Sequence, residues 1–443
     1  MSAYTTLTAR EIALRFLRRV EDGAYADKLL DGISSANLIQ KDKGFVRELV
    51  LGTTRWRGRI DWVLRKFVHK DLEDLTAWIR NILRLGAYQI LFLDRVPPWA
   101  VVNESVNLAT KYGHPGTAGL VNAVLRTLVR EKGNISYPDR DRDPVAYLSV
   151  FYSHPEWMVE RWIKRWGFEE TAQLCKANNL SPKVSIRTNS LKTTPERLMK
   201  ELSKAGIVAQ PNKLVSNFLD LECAEGLFET TAFADGWLQV QDPSAGLVSI
   251  LLDPHPGERI LDVCSAPGGK ATHVAELMRN IGLIVALDKQ KGRLRMLQEN
   301  SGRLGISIIH AEAQDALRYA AQPFDRVLVD VPCSGLGVLA RRADARWKAE
   351  ETIDQLTQLQ SALLKKGAEL TRAGGVIVYS TCSIEPQENE MIIEAFLMRN
   401  SAFELEKASE FLSSEVADSF VRTFPHKHGC DGSFAARLRK RSD

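Results

Sequence analysis

Two short turns carry the groups with the most chemistry to offer. Asp330-Val331-Pro332-Cys333-Ser334-Gly335 sets a carboxylate and a thiol on one sharp turn, and Ser380-Thr381-Cys382-Ser383 supplies a second thiol. A cysteine is ordinarily a small buried hydrophobe. These two sit instead among Pro, Ser, Thr and Gly, company that apolar packing would not choose. Each follows an apolar run, which places it at a strand end. Thiolates are strong nucleophiles and can form covalent intermediates, so the pair reads as chemical.

A third stretch, Glu258 to Thr272, supports a ligand at the same place. Ile260, Leu261 and Val263 form a short apolar run, Ala266-Pro267-Gly268-Gly269 breaks it, and a helical pattern starts at Lys270 with Val274, Leu277 and Met278 on one face. Strand, glycine turn and helix is how doubly wound folds hold an adenosine-containing cofactor. Glycine lets backbone amides approach the ligand, and a helix N-terminus favours an anionic group. Asp288 ends the next apolar run, where such folds place an acid on a ribose hydroxyl. G-x-G-x-x-G is absent and no Gly-Lys-Ser/Thr closes the turn. A small nucleoside with a carboxylate, such as S-adenosylmethionine, fits better than NAD or ATP.

These turns need strands beneath them. From Trp237 onward apolar runs fall near 260–264, 283–287, 306–309, 326–331 and 375–380, with helical stretches between, the longest from about 349 to 371. Such alternation predicts a parallel sheet covered on both faces. Asp288, Asp315, Asp330 and Cys382 then share the carboxyl edge, where open α/β sheets bind ligands.

Residues 1–135 read as an all-helical bundle with short loops, its central helix carrying Ile79, Ile82, Leu83, Leu85, Tyr88, Ile90 and Leu91. The polar stretch 133–144 reads as a linker. Helices with Trp157, Trp162 and Trp166 follow, at a spacing that suits core packing, and then a small α+β unit ending near Gly236. The expected domains are 1–135, 136–235 and 236–443, in keeping with roughly three domains for 443 residues.

A net charge of +4 permits nucleic-acid binding without establishing it. Two basic clusters bear on this: Arg55, Arg57, Arg59, Arg65 and Lys66 around Trp56 and Trp62, and Arg341, Arg342, Arg346 and Lys348 after the first cysteine turn. Each reads either as a set of phosphate contacts or as a solvated face with packed stems. No apolar run approaches the ~20 residues of a membrane helix. Met1 to Arg19 lacks the apolar core and cleavage site of a signal peptide, so a cytoplasmic protein is expected. Six cysteines without a C-x-x-C pair argue against a zinc ribbon, and no metal is expected.

The motifs together resemble those of the RNA cytosine-5 methyltransferases of the Sun/Fmu type. Asp262 to Lys270 is similar to that family's cofactor loop, and Asp330 to Gly335 to its D-x-P-C-S-G motif. Thr381-Cys382-Ser383 with Glu385, Glu388 and Asn389 is similar to its second cysteine motif, and Val240-Gln241-Asp242-Pro243-Ser244 to its lead-in. The helical front resembles the antitermination factor NusB in Asn103-Glu104-Ser105-Val106 and in Leu120 to Arg126. The resemblance covers essentially the full chain. One departure is Asp431-Gly432-Ser433-Phe434, where the family usually has two phenylalanines; it reads as a packing or base-contact change.

The resemblance implies a Rossmann-like methyltransferase sheet behind a NusB-like RNA-binding bundle and a small α+β RNA-binding subdomain. It implies that Cys264, Ser265, Ala266, Pro267, Gly268, Gly269 and Lys270 bind the methionine end of S-adenosylmethionine. Asp288 would take the ribose, Asp315 the adenine side, and Asp330 would sit near cofactor and base. Cys382 would be the nucleophile and Cys333 would help release the product, with Asp330 and Lys270 completing the catalytic set. The implied partner is small-subunit (16S) rRNA, naked or in early assembly, met by a monomer.

That chemistry suits the residue types. C5 of cytosine is a poor nucleophile toward a sulfonium methyl, and thiolate attack at C6 concentrates electron density at C5. The base must be unstacked to be reached. A non-catalytic RNA-binding assembly factor would have no need of two exposed thiols. The second cysteine and the helical front favour RNA over DNA. A zinc deaminase is excluded, because no P-C-x-x-C follows Pro332.

Overall fold

The computed structural model describes residues 7–32 and 40–442; the first six residues of the Met1–Arg19 stretch lie outside the described residues. Contacts divide the chain into two compact units, residues 1–180 with 339–348, and residues 181–338 with 349–443.

The first unit is helical. Its helices are α1 (Ala9–Glu21), α2 (Ala26–Asp31), α3 (Gln40–Arg55), α4 (Arg57–Leu64), α5 (Ala77–Phe92), α6 (Pro98–Tyr112), α7 (Pro115–Glu131), α8 (Pro144–Tyr152), α9 (Glu156–Trp166) and α10 (Phe168–Ala177). Helix α5 is central, as its unbroken apolar run predicts: Ile79, Ile82, Leu83 and Leu85 are buried against α1, α3, α6 and α7. Each such side chain contributes roughly 1.5–3 kcal/mol. Thr76 caps its first turn by accepting the Ile79 N–H. Arg84 of α5 forks onto both Asp61 oxygens at 2.8 Å and reaches Glu21 at 2.9 Å. Pro98 stands at the first turn of α6, where its missing N–H costs nothing. Trp162 is fully buried, in keeping with core packing.

The stretch read as a linker is held onto α4. The Trp62 indole donates to the Ser136 carbonyl at 3.2 Å, and Arg59 Nε donates to the Tyr137 hydroxyl at 2.9 Å.

The basic clusters resolve mostly as packing. Arg346 is fully buried and donates to the carbonyls of Arg55 (3.1 Å), Ser153 (2.9 Å) and Asn178 (3.1 Å) and to Asn179 Oδ1 (2.9 Å). Burial, with help from the charge of Arg55, pushes its pKa down to about 9. A guanidinium closed off in this way cannot meet a phosphate. Arg55 in turn donates to the Ala340 carbonyl at 2.9 Å, and Arg57 lies 4.2 Å from the centroid of the Trp347 ring. The phosphate reading therefore fails for Arg346 and weakens for Arg55, Arg57 and Arg59. Arg65 and Lys66 remain exposed.

The second unit holds two sheets. The smaller is antiparallel, in the order β2-β3-β1-β4, from β1 (Val184–Thr188), β2 (Ala209–Pro211), β3 (Phe218–Leu221) and β4 (Leu238–Val240). A helix over Pro195–Lys204 packs its apolar stripe on it through Leu198 and Leu202. Residues 238–240, just past the expected domain boundary at 236, form an edge strand of the smaller sheet.

The larger sheet runs β10-β12-β9-β8-β5-β6-β7, with β11 also paired to β12. Its strands are β5 (Arg259–Asp262), β6 (Leu283–Asp288), β7 (Ile309–Ala313), β8 (Phe324–Asp330), β9 (Thr371–Thr381), β10 (Phe403–Glu406), β11 (Val421–Thr423) and β12 (Ser433–Lys440). Strands β5 to β9 are parallel, as expected, whereas β10, β11 and β12 add an antiparallel end. Both faces are covered. Leu261, Val327, Val329 and Ile377 face one apolar cluster, and Ile260, Leu328, Val376 and Val378 face the other. The third strand begins at Ile309 rather than 306. As an outer strand it carries His310 and Glu312 in its ladder, which an apolar count passes over. Among the described residues, no helix is long and apolar enough to cross a membrane.

Candidate active site

The parallel strands put the chemistry on one edge. Asp262 ends β5, Asp288 ends β6, Asp330 ends β8 and Thr381 ends β9, with Asp315 two residues beyond β7. Strand β5 lies between β6 and β8, so successive connections leave to opposite sides. A crevice opens at such a reversal. Here it has a volume of about 150 Å³ and is walled by Cys264, Asp288, Asp315 and Pro332, with Leu359 and Leu363 supplying an apolar side.

The glycine turn follows β5 at the same edge. Gly268 has φ of +100°, and a Cβ there would fall 2.6 Å from Leu297 Cγ, so only glycine fits. Gly269 opens the following helix, Gly269–Leu277. Fully buried Arg187 of β1 braces this start, donating to the Gly269 carbonyl at 2.9 Å and to Glu276 at 2.8 Å. Arg293, one helical turn beyond Asp288, donates to the Ala266 carbonyl at 2.5 Å and lies 3.4 Å from Asp288. Asp288 also accepts the Gln290 N–H at 2.7 Å, and Asp315 is 3.2 Å from Lys289.

Beneath the turn, Asp262 is buried, and neither its carboxylate oxygens nor the Ser265 hydroxyl makes a well-formed hydrogen bond, although the Ser265 hydroxyl and the Cys264 N–H lie close enough to draw the carboxyl pKa down in part. Burial, and then the charge of Asp330, push the Asp262 pKa up to about 7. Cys264 is pushed up to about 12, first by burial and then by Asp262, Asp330 and Asp288. It is therefore a neutral thiol, not a nucleophile.

Asp330 is held on both oxygens, by Lys270 Nζ at 2.7 Å and by the Ser380 hydroxyl at 2.7 Å. Burial alone would lower the Lys270 pKa. The Asp330 charge and hydrogen bond outweigh it, and the net shift is upward. Lys270 stays an ammonium.

The two thiols meet beside this pair, with Cys333 Sγ and Cys382 Sγ 3.0 Å apart. Backbone bonds fix the spacing: Val331 N–H donates to the Ser380 carbonyl at 3.0 Å, and Gly337 N–H to the Cys382 carbonyl at 3.0 Å. The fully buried carboxylate of Glu388 ties the turns together. It accepts from the Ser334 N–H (2.8 Å), the Ser334 hydroxyl (2.5 Å) and Gln360 Nε2 (3.0 Å), and from the Ser383 hydroxyl. The hydrogen bond with Cys382 comes first among the causes that raise the Cys333 pKa well above its ordinary value; burial and the Glu388 charge add to it. Cys333 thus keeps its proton, and either sulfur can be the donor across the 3.0 Å contact.

The edge brings together Cys264, Ser265, Gly268, Gly269, Lys270, Asp288, Asp315, Asp330, Cys333 and Cys382. Sequence reasoning passed over Arg187, Arg293, Gln360 and the apolar wall. An arginine inside the apolar strand V-S-I-R-T and a glutamine on the buried face of a helix were the available signals. Ser433 opens β12 with its hydroxyl 2.9 Å from that of Thr423, which favours packing for the Ser433 departure.

Family models match in three consecutive blocks: the NusB family over residues 7–130, the ferredoxin-like domain of RsmF/B-like methyltransferases over 154–225, and 16S rRNA methyltransferase RsmB/F over 249–439. The chain is 36% identical over 446 residues to the probable ribosomal RNA small subunit methyltransferase B of Bacillus subtilis, covering 98% of this chain and 99% of the relative. It is 35% identical to ribosomal RNA small subunit methyltransferase B of Pseudomonas syringae pv. tomato, over 84% of this chain and 82% of that one. The crystal structure of PH0851 superposes with a TM-score of 0.82 at 28% identity, over 98% of this chain and 99% of its own. NSun6 from Pyrococcus horikoshii, solved with SFG, does so at 0.59 and 26%, over 65% of this chain and 99% of its own. With its cysteine turns, glycine loop and helical front in one fold, the chain belongs to the RsmB/F family of S-adenosylmethionine-dependent RNA cytosine-5 methyltransferases.

Proposed function

We propose that the protein methylates C5 of one cytosine in small-subunit rRNA, through a covalent bond between Cys382 Sγ and C6 of the base. The observation that carries this reading is the pair of sulfurs 3.0 Å apart beside the Lys270–Asp330 ion pair. A fold that merely binds RNA has no use for two thiols so constrained.

The residues of the crevice fit S-adenosylmethionine. The carboxylate of Asp262 and the Ser265 hydroxyl, neither in a well-formed hydrogen bond, suit an amino-acid end, and Asp288 and Asp315 suit a ribose and an adenine. When bound, S-adenosylmethionine supplies an electrophilic methyl group. A relative solved with an analogue of this cofactor supports the assignment.

Cys382 adds to C6 as the thiolate, steadied by the Cys333 S–H. Asp330, held by the Ser380 hydroxyl and taking a proton from the Lys270 ammonium, would pass it to N3 as the ring accepts charge. The electron pair displaced toward C5 would form the new carbon–carbon bond to the methyl group, whose bond to the sulfonium sulfur would break with its electrons left on that sulfur as a neutral thioether. Loss of the C5 proton then restores the double bond and expels Cys382 as thiolate. In the adduct Cys382 no longer accepts the Cys333 proton, so the largest cause of the raised Cys333 pKa is gone. Cys333 can then give its proton to water and, as the thiolate, take the C5 proton.

The substrate is proposed as naked or early-assembly rRNA, because the target base must be unstacked. Methyl transfer from labelled cofactor to small-subunit rRNA, tRNA, DNA and assembled subunits, with the product base mapped, tests the proposal. Label in 5-methylcytosine of the rRNA is expected; label in another base or only in DNA overturns it.

A further inference from the structure

The first cysteine turn is gripped from one more side, by a residue that no step of the chemistry has used. Gln360 stands on the buried face of the helix Thr352–Glu369 and is fully buried. Its amide nitrogen donates to the Pro332 carbonyl at 3.0 Å and to Glu388 Oε1 at 3.0 Å. Pro332 precedes Cys333. Glu388 in turn holds Ser334, which follows Cys333, by its N–H at 2.8 Å and its hydroxyl at 2.5 Å. One carboxamide thus brackets the thiol on both sides along the chain.

Both partners are acceptors, so the amide must turn its nitrogen toward them. That leaves Gln360 Oε1 buried without a hydrogen-bond partner. A leucine here, beside the buried Leu363 and Leu364, would leave no polar group over. An unpaired buried carbonyl is costly, and the two donated protons are what the position gains against it. The same turns of the helix face the cofactor crevice: Leu359 and Leu363, one before and three after Gln360, wall it together with Pro332. Gln360 therefore ties the thiol turn to the wall against which a cofactor would lie. The Glu388 charge is among the causes that hold the Cys333 pKa up. A proton donated to Glu388 Oε1 draws on that charge and blunts its effect on the thiol.

We infer that Gln360 is a positioning residue for product release: it sets the Cys333 turn against the wall of the cofactor crevice and tempers the Glu388 charge, so that Cys333 is placed to take the C5 proton from the methylated adduct. In that step the C5 proton goes to the Cys333 thiolate, the electrons of the C5–H bond restore the C5–C6 double bond, and the C6–S bond breaks with its pair left on Cys382. The inference rests on the covalent reading above and gives that reading a residue that acts only through Cys333.

The test uses the full chain with small-subunit rRNA and labelled cofactor. Gln360→Met keeps the length of the side chain and removes both donors. It should lower kcat by on the order of tenfold, since misplacing a reacting group by ~1 Å costs up to ~10²-fold, while KM for RNA and for cofactor holds. The share of enzyme caught as a protein–RNA link on denaturing electrophoresis should rise, and the pH profile of kcat should move to higher pH. In a Cys333→Ala background the same substitution should leave the amount of link unchanged, because the thiol it aligns is gone. Gln360→Glu has nearly the same shape and supplies at most one proton to the two acceptors, so it should show the same defect and serves where the methionine variant does not fold. Wild-type kcat in the folded variant overturns the inference. So does a loss of kcat with no more link than wild type and an unmoved pH profile, which is what a merely structural role would give. If the wild-type protein methylates no cytosine of rRNA, or Cys333→Ala forms no link, the covalent reading fails first and this inference falls with it.

Discussion

At the carboxyl edge of the large sheet, buried polar atoms are left over: the Asp262 oxygens and the Ser265 hydroxyl make no well-formed hydrogen bond. In the helical unit the terminal nitrogens of a buried arginine are taken up, since Arg346 places four bonds on three carbonyls and one carboxamide. Both regions are polar in sequence, and both read as ligand contacts. What separates them is how far the fold satisfies the charged group: both Asp262 oxygens are left over, whereas of the Arg346 nitrogens only Nε is. An orphaned buried carboxylate is costly, and under the proposed function the bound cofactor would supply the missing partner. A guanidinium held at both terminal nitrogens is a brace.

The sharpest break in this comparison lies at the sulfurs. Cys382→Ala should abolish methyl transfer while binding cofactor and RNA normally. Cys333→Ala should methylate once and stall, leaving a protein–RNA link that survives denaturing electrophoresis. The double substitution should show no link. A trapped complex in Cys382→Ala would reverse the two roles, and full turnover by that variant would remove the covalent mechanism.

Next in size is the brace. Arg346→Met removes every donor from the four acceptors and should lower stability by on the order of 4 kcal/mol, given ~1–3 kcal/mol for each buried group left unsatisfied. Thermal unfolding reads the loss. The salt dependence of RNA binding by the folded variant should match wild type, because Arg346 touches no phosphate. A flatter salt slope would return Arg346 to the RNA-binding surface.

Asp262 supplies a pH signature. Its folded pKa of about 7 lies above the ordinary value of 3.8. Between those values the folded protein keeps a proton that the unfolded chain has released, so stability falls as pH rises from about 4 to about 7. Above that both forms are ionised and the full penalty remains, on the order of 4 kcal/mol at ~1.4 kcal/mol per unit. Asp262→Asn never ionises. Without cofactor it should unfold at a higher temperature than wild type at pH 8, and the difference should close near pH 4. A constant difference across that range would mean that Asp262 has a partner after all.

The legible parts of this protein were local. The glycine loop, Asp330–Gly335 and Ser380–Ser383 announce themselves because turn residues and chemical residues stand side by side. The strands beneath them followed from unbroken apolar runs. What stayed hidden depends on residues far apart in sequence. Arg187 reaches Glu276 and Gly269 from another sheet, and nothing in V-S-I-R-T names those partners. The segment 339–348 follows the first cysteine turn yet packs with the helical unit, so its basic residues looked like an RNA-facing loop. Glu388 was visible as a motif residue, but its grip on both turns through Ser334 and Ser383 appears only once β8 and β9 are paired. The antiparallel end of the sheet was missed because pairing direction is not written in periodicity.

The smallest effect belongs to Asp288, which stands between the two cases compared above. It is not orphaned: it accepts the Gln290 N–H at 2.7 Å and has Arg293 at 3.4 Å. Those contacts orient the carboxylate rather than consume it, because an ionised carboxylate has about four acceptor sites. If the remaining sites take ribose hydroxyls, Asp288→Ala should weaken S-adenosylmethionine binding by ~1.5–3 kcal/mol, the range for hydrogen bonds to a charged group. Asp288→Asn keeps one acceptor oxygen and should lose less. Calorimetry with both variants separates this from a loop defect, since loss of the Gln290 bond alone would move thermal stability and leave affinity intact. Equal affinity in wild type and Asp288→Ala would leave Asp288 as a loop anchor and move the ribose contact elsewhere on the edge.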